Sequence, residues 1–170
     1  VDLCKERIDR NPKEVRAVLI NSGQANAFTG GQGSLDNIKV TKDLAKKLGL
    51  KEQQVLICST GVIGECIPIE KLLLGLDPLI ESLTDSEKHI AANAILTTDL
   101  VQKEFALETL LGGRRIRIGG MAKGSGMIQP NMATMLAFLT CDVSIPASAW
   151  QKMITKAVDY SFNAITVDGD

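Results

Sequence analysis

The sequence predicts an α/β fold, layered in the α+β manner as a sandwich, in one domain over residues 1–170. Three observations lead there. Short apolar, β-branched runs recur, stretches with apolar residues at helical spacing fall between them, and glycines gather where the runs begin or end. At 170 residues and 45% hydrophobic composition, the chain holds enough apolar material to bury a core.

The elements follow in order. "VRAVLI" (15–20) reads as a buried strand that stops at the turn-forming "NSG". Over 34–48, Leu35, Ile38, Ala45 and Leu48 fall on one helical face, with Ser34 or Asp36 to cap the start and Gly49 to close the end. "QVLIC" (54–58) is a second buried strand running into "STGVIG". Two helical stretches come next, 69–83, interrupted by Pro78, and 86–96, where Ile90, Ala94 and Ile95 share a face. "RRIRIGG" alternates charge with isoleucine, so 115–118 reads as a half-exposed strand, and "MATMLAFLTCDV" (132–143) as a more buried one. Pro146 opens a final helix through Tyr160, with Trp150, Met153, Ile154, Ala157 and Val158 inward.

Composition narrows the function classes. Nineteen Lys+Arg against twenty Asp+Glu leave a net charge of -1, which provides no basic field for nucleic acid or an anionic membrane. No apolar run approaches the roughly 20 residues that span a bilayer, and no leader segment is visible. A soluble, cytoplasmic protein is expected, or a plastid one in a plant. The four cysteines lie too far apart for a CxxC motif and are read as reduced, mostly buried thiols. Val1 in place of Met, and an ending "TVDGD" that reads as the middle of something, suggest a chain cut at both ends.

Conventional catalytic groups are scarce. His89 is the one histidine and lies beside Lys88 in a helical stretch, which suits a surface position better than a triad. No His, Cys and carboxylate cluster has ligand spacing, so no metal is expected. "KGSGM" lacks the ending of a phosphate loop and no GxGxxG occurs, so no cofactor is expected either. Two designs stay open: a hydroxyl nucleophile activated without histidine, or no chemistry at all. Thr134 offers the first. It opens an apolar strand after the small Ala133 and the turn-forming "QPN". Were the bond between Ala133 and Thr134 cut, the freed α-amine, with an ordinary pKa of about 8, could act as base for the threonine's own hydroxyl. A threonine there also serves as a plain strand residue.

"NSGQANAFTG" (21–30), "STGVIG" (59–64), "TTD" (97–99), "KGSGMIQPNMATML" (123–136) and "SFNAITVDGD" (161–170) occur in the order seen in the ornithine acetyltransferases. By these motifs the chain resembles that family, the bifunctional glutamate N-acetyltransferases of arginine biosynthesis, over nearly its whole length. The resemblance implies an αββα-type fold and a precursor that cleaves itself between Ala133 and Thr134. The products would be an α chain (1–133 here) and a β chain (from 134) that stay together, as an α2β2 heterotetramer. It makes Thr134 the nucleophile, Thr60 and Gly61 the oxyanion hole, and Thr97 and Lys123, with Thr134, substrate-binding residues. The implied reaction is ping-pong transfer of acetyl from N-acetylornithine to glutamate through an acetyl-threonine; some members also load from acetyl-CoA.

Two positions depart from the family pattern: Phe28 stands where cysteine is common and Ala164 where arginine is usual. Relatives begin earlier and continue further, with more substrate contacts in the later part. The alternatives are a non-catalytic remnant of such an enzyme and a related self-processing aminopeptidase or amidase. The pairing of "STGVIG" with "PNMATML" argues against the latter.

Overall fold

The two β-branched runs form neighbouring parallel strands. In the computed structural model, which describes residues 1–85, 89–125 and 135–166, strand β1 is Ala17–Gln24 and β2 is Val55–Val62, paired from Ala17 opposite Val55 to Gln24 opposite Val62. The chain falls into two compact units, Val1–Lys88 and His89–Asp170, taken here in turn.

In the first unit, helix α1 (Asp2–Arg10) precedes β1, and α2 (Gly30–Leu48) makes the crossover that a parallel pair requires. After β2 come α3 (Ile69–Leu74) and α4 (Leu76–Glu81). Leu19, Val40, Leu44, Ala45, Val55, Ile57 and Leu76 form the core. β1 does not stop at "NSG" as expected. It continues through Gln24 because that segment pairs with the end of β2, and turn-forming residues held in a ladder behave as strand.

α2 starts a turn earlier than 34, so neither Ser34 nor Asp36 caps it; Asp36 is buried and accepts a bond from Gln32 Nε2 at 2.8 Å. Gly49 closes the helix as expected, at φ 67° with its N–H on Ala45 and Lys46 carbonyls. The inward stripe is Gly33, Asp36, Val40, Thr41, Leu44 and Ala45, while Leu35 and Ile38 are exposed. Polar and small residues on the buried face hide it from a hydrophobicity count. The break in 69–83 lies at Gly75. Pro78 sits in the first turn of α4, where its missing N–H has no intrahelical bond to lose.

The second unit holds α5 (Ile90–Ala94), strands β3 (Lys103–Leu111), β4 (Arg114–Lys123) and β5 (Leu136–Cys141), and α6 (Ala147–Asp159). The strands form an antiparallel sheet in the order β3-β4-β5. Gly112 and Gly113, at φ 56° and 76°, make the two-residue turn that joins Leu111 to Arg114, a conformation that needs positive φ twice. β3 has no counterpart among the expected strands, β4 runs longer than 115–118, and β5 alternates exposure where a more buried strand was expected. In α5, Ala92 is buried within the helix and Ile95 just beyond it, while Ile90 and Ala94 are exposed. α6 follows Pro146 and half-buries Trp150, Ile154 and Val158, with Met153 and Ala157 outside.

The described residues form a mixed α/β fold with one parallel and one antiparallel sheet, in agreement with the expected class. Among the described residues no helix is long and apolar enough to cross a membrane, and no three His, Cys, Asp or Glu gather to hold a metal ion. The four cysteines are free; Cys66 is exposed and the other three half-buried, so burial is less complete than expected. Burial and the neighbouring Cys4 push the Cys58 thiol up.

Candidate active site

Ligands of parallel sheets gather at the carboxyl ends of the strands. Here those ends are the first two motifs. Asn21 lies opposite Ser59, Ser22 opposite Thr60 and Gly23 opposite Gly61, so "NSGQ" and "STGV" run side by side. Beyond the ladder, Ala25 N–H donates to Val62 O at 2.9 Å and Gly64 N–H to Ala27 O at 3.0 Å. Gln24 Nε2 ties the pair to the next loop through Cys66 O at 3.1 Å. Thr60 is 3% exposed. Gly61 has φ 129°, and a Cβ there would lie 2.2 Å from the Gly23 carbonyl carbon and 2.3 Å from its oxygen. The two backbones approach too closely for any side chain. A hydroxyl and an adjacent amide are thus fixed on a rigid strand end, two donor types that stabilise an oxyanion when aimed at it. The neighbouring Ser59 Oγ is buried with no hydrogen-bond partner among the described residues.

The rest of the first motif organises the entry to α2. Thr29 Oγ1 donates to Asn26 Oδ1, and Asn26 Nδ2 to Gly33 O at 2.7 Å. Phe28 is 92% exposed and held at φ 58°, a conformation that bulky residues resist. A cavity of about 540 Å³ nearby is lined by Asp2, Glu6, Asn26, Thr29, Ser34 and Asn37 among others, and neither Thr60 nor Gly61 borders it.

In the second unit the third and fourth motifs are joined. Thr97 is exposed, and its N–H donates to Asp99 Oδ2 at 3.4 Å. Asp99 Oδ1 accepts from Gly124 N–H at 2.7 Å and from Lys103 Nζ at 2.5 Å. Ser125 Oγ donates to Thr98 O at 3.2 Å. Burial alone would push the Asp99 carboxyl up; the Lys103 ammonium and the amides of Gly124 and Thr97 outweigh it and hold the group below the usual carboxylate range. Lys123 ends β4 and is 5% exposed. Asp99 was not among the residues singled out from the sequence. The one acid in the short "TTD" motif, directly after two threonines, was its visible signal.

Two further charged features are surface pairs. His89 is exposed and paired with Glu104. Arg115 and Arg117 share Glu108 on an exposed strand face, where such pairs contribute at most about 1 kcal/mol. Ala133 and Thr134, the preceding "QPN", Lys88 and Gly126 lie outside the described residues.

The family model described as "ArgJ family" matches residues 1–170. The chain belongs to the ArgJ family. The arginine biosynthesis bifunctional protein ArgJ of one Prochlorococcus marinus strain is 61% identical over all of this chain, which spans 41% of that protein. ArgJ 1 of Nostoc sp. strain PCC 7120 is 54% identical, again over the whole chain and 41% of the relative. The chain therefore spans about two fifths of the length of these curated relatives.

Two solved structures share the fold. ArgJ from Bacillus halodurans superposes with a TM-score of 0.67 at 36% identity, covering 78% of this chain and 69% of the other. Ornithine acetyltransferase from Mycobacterium tuberculosis, complexed with ornithine, gives 0.63 at 29% identity, covering 79% and 69%. The mixed α/β architecture is that of the ArgJ structures, consistent with the expected αββα-type fold. Within it, four of the five ArgJ-like motifs are joined in two pairs, 21–30 with 59–64 and 97–99 with the start of 123–136.

Proposed function

We propose that this chain belongs to a self-cleaving acetyltransferase that moves an acetyl group from N-acetylornithine to glutamate. Family membership and the relatives' printed role in arginine biosynthesis support this, as does a fold neighbour named ornithine acetyltransferase and complexed with ornithine. The carrying observation is the end of β2, where Thr60 precedes a residue that can only be glycine.

In this reading the bond between Ala133 and Thr134 is cut first, dividing the chain at 133/134 and freeing the Thr134 α-amine. An amine with an ordinary pKa of about 8 is partly unprotonated near neutrality and takes the proton of the Thr134 hydroxyl. Oγ1 attacks the acetyl carbonyl of N-acetylornithine, and the resulting oxyanion rests on the Thr60 hydroxyl and the Gly61 N–H. The C–N bond breaks, the amine's proton passes to the leaving nitrogen, and ornithine departs from an acetyl ester on Thr134. Glutamate's amine then attacks that ester, and Oγ1 recovers its proton as N-acetylglutamate leaves. Thr97 and Lys123 hold the amino-acid part of both substrates, the ammonium meeting a carboxylate. Acetyl-CoA as a second donor, the α2β2 assembly and the cytoplasmic location belong to the same reading.

Intact-mass measurement on the full-length protein tests the first step. Wild type is expected as two chains divided between Ala133 and Thr134, and Thr134→Ala as one. A wild type that stays whole under folding conditions would favour the non-catalytic remnant.

A further inference from the structure

Asp99 has the geometry of a clasp. Its side chain is fully buried, and one carboxylate engages two segments 25 residues apart: Oδ2 accepts from Thr97 N–H, and Oδ1 from the N–H of Gly124, the residue directly after Lys123. Ser125 adds a second tie through Thr98 O. Lys103 Nζ, at 2.5 Å, supplies the counter-charge without which a buried carboxylate would be costly.

We propose that Asp99 is a positioning residue that locks the 97–99 turn to the 123–125 segment, so that Thr97 and Lys123 meet the substrate as one preformed pair. This rests on the acetyl-transfer reading, in which both residues hold the amino-acid part of donor and acceptor alike. The chemistry explains the choice of residue. Only an ionised carboxylate offers acceptors on both sides and no donor. An asparagine of the same shape must turn an NH₂ group toward either the Thr97 amide or the Gly124 and Lys103 donors. One of the two segments is then released. Uniform binding is lost in that case while the reacting centre keeps its groups, so the effect falls on KM more than on kcat.

The test uses the full-length enzyme and steady-state kinetics for both substrates. Asp99→Asn is expected to raise KM for N-acetylornithine and for glutamate about tenfold each, the size of one lost hydrogen bond to a charged group, with kcat changed less. Gly113→Ala, at the far end of the β3–β4 hairpin with φ 76°, serves as a destabilised control with unchanged KM. Should Asp99→Asn fail to fold, Ser125→Ala removes an exposed hydroxyl from the same clasp and is expected to raise both KM values by a smaller factor. Wild-type KM in Asp99→Asn, or in Ser125→Ala where that variant is the one available, overturns the proposal. So does an equal rise in Gly113→Ala, which would mark a general stability effect. Thr134→Ala is assayed alongside: full transfer by that variant defeats the reaction itself, whereas a dead Thr134→Ala with an unaltered Asp99→Asn defeats only the clasp.

Discussion

A side chain on Gly61 would overlap the backbone of the neighbouring strand. Its Cβ would fall 2.2 Å from the Gly23 carbonyl carbon and 2.7 Å from the Gln24 nitrogen, in a conformation that L residues already avoid. Gly23 has the same kind of φ, 116°, but open space around it. The two glycines therefore separate strain from collision. In urea unfolding of the folded protein, Gly23→Ala is expected to cost about 1–2 kcal/mol from strain alone, and Gly61→Ala roughly 3 kcal/mol or more because the strands must also part. Equal losses at the two positions would show that the close approach has no energetic consequence. On the proposed reading, acetyl transfer should fail in Gly61→Ala even where the protein still folds, since the amide beside Thr60 moves with the strand.

Among the elements, α1 depends on one buried cation. Arg7 donates through Nη1 to Val55 O and through Nη2 to Thr41 Oγ1, linking the helix to β2 and α2; burial holds its pKa below the ordinary arginine value. Cys4 Sγ adds a bond to Ile57 O at 3.2 Å. Arg7→Ala is expected to destabilise by about 2–4 kcal/mol in denaturant unfolding, because the Val55 carbonyl is left without that partner inside the unit. A change below about 0.5 kcal/mol, typical of surface positions, would contradict this. α1 itself was not legible in the sequence, since it is mostly polar: Leu3 and Cys4 pack against the core, too short an apolar set to read as a stripe, and a hydrogen-bonded arginine supplies the rest of the attachment. β1 and β2 were legible because their β-branched runs are buried. Their extension through "NSGQ" and "STGV" was not, since only pairing reveals that turn-forming residues can lie in a ladder. β3 escaped because all nine of its residues are exposed, which removes the buried face that periodicity detects. At the site, the motif order pointed to Thr60, Gly61, Thr97 and Lys123. Asp99 became apparent only when its carboxylate was found between two distant amides.

At the scale of the whole molecule, the chain is an ArgJ-family α/β protein of two compact units spanning about two fifths of its curated relatives. Each unit joins two of the motifs: by close backbone approach at Gly61 in the first, and by a shared side-chain carboxylate at Asp99 in the second. The proposed chemistry asks of them an oxyanion hole and a substrate clamp, serving a threonine that has its own amine as base. Losing the Thr60 hydroxyl should then cost about 3 kcal/mol of transition-state stabilisation, near a hundredfold in rate. The most direct measurement is rapid-quench peptide mass analysis of the full-length enzyme mixed with N-acetylornithine. Acetyl is expected on Thr134 in wild type, forming roughly a hundredfold more slowly in Thr60→Ala. Acetyl that never appears on Thr134 while N-acetylglutamate accumulates, or that appears equally fast without the Thr60 hydroxyl, would contradict it.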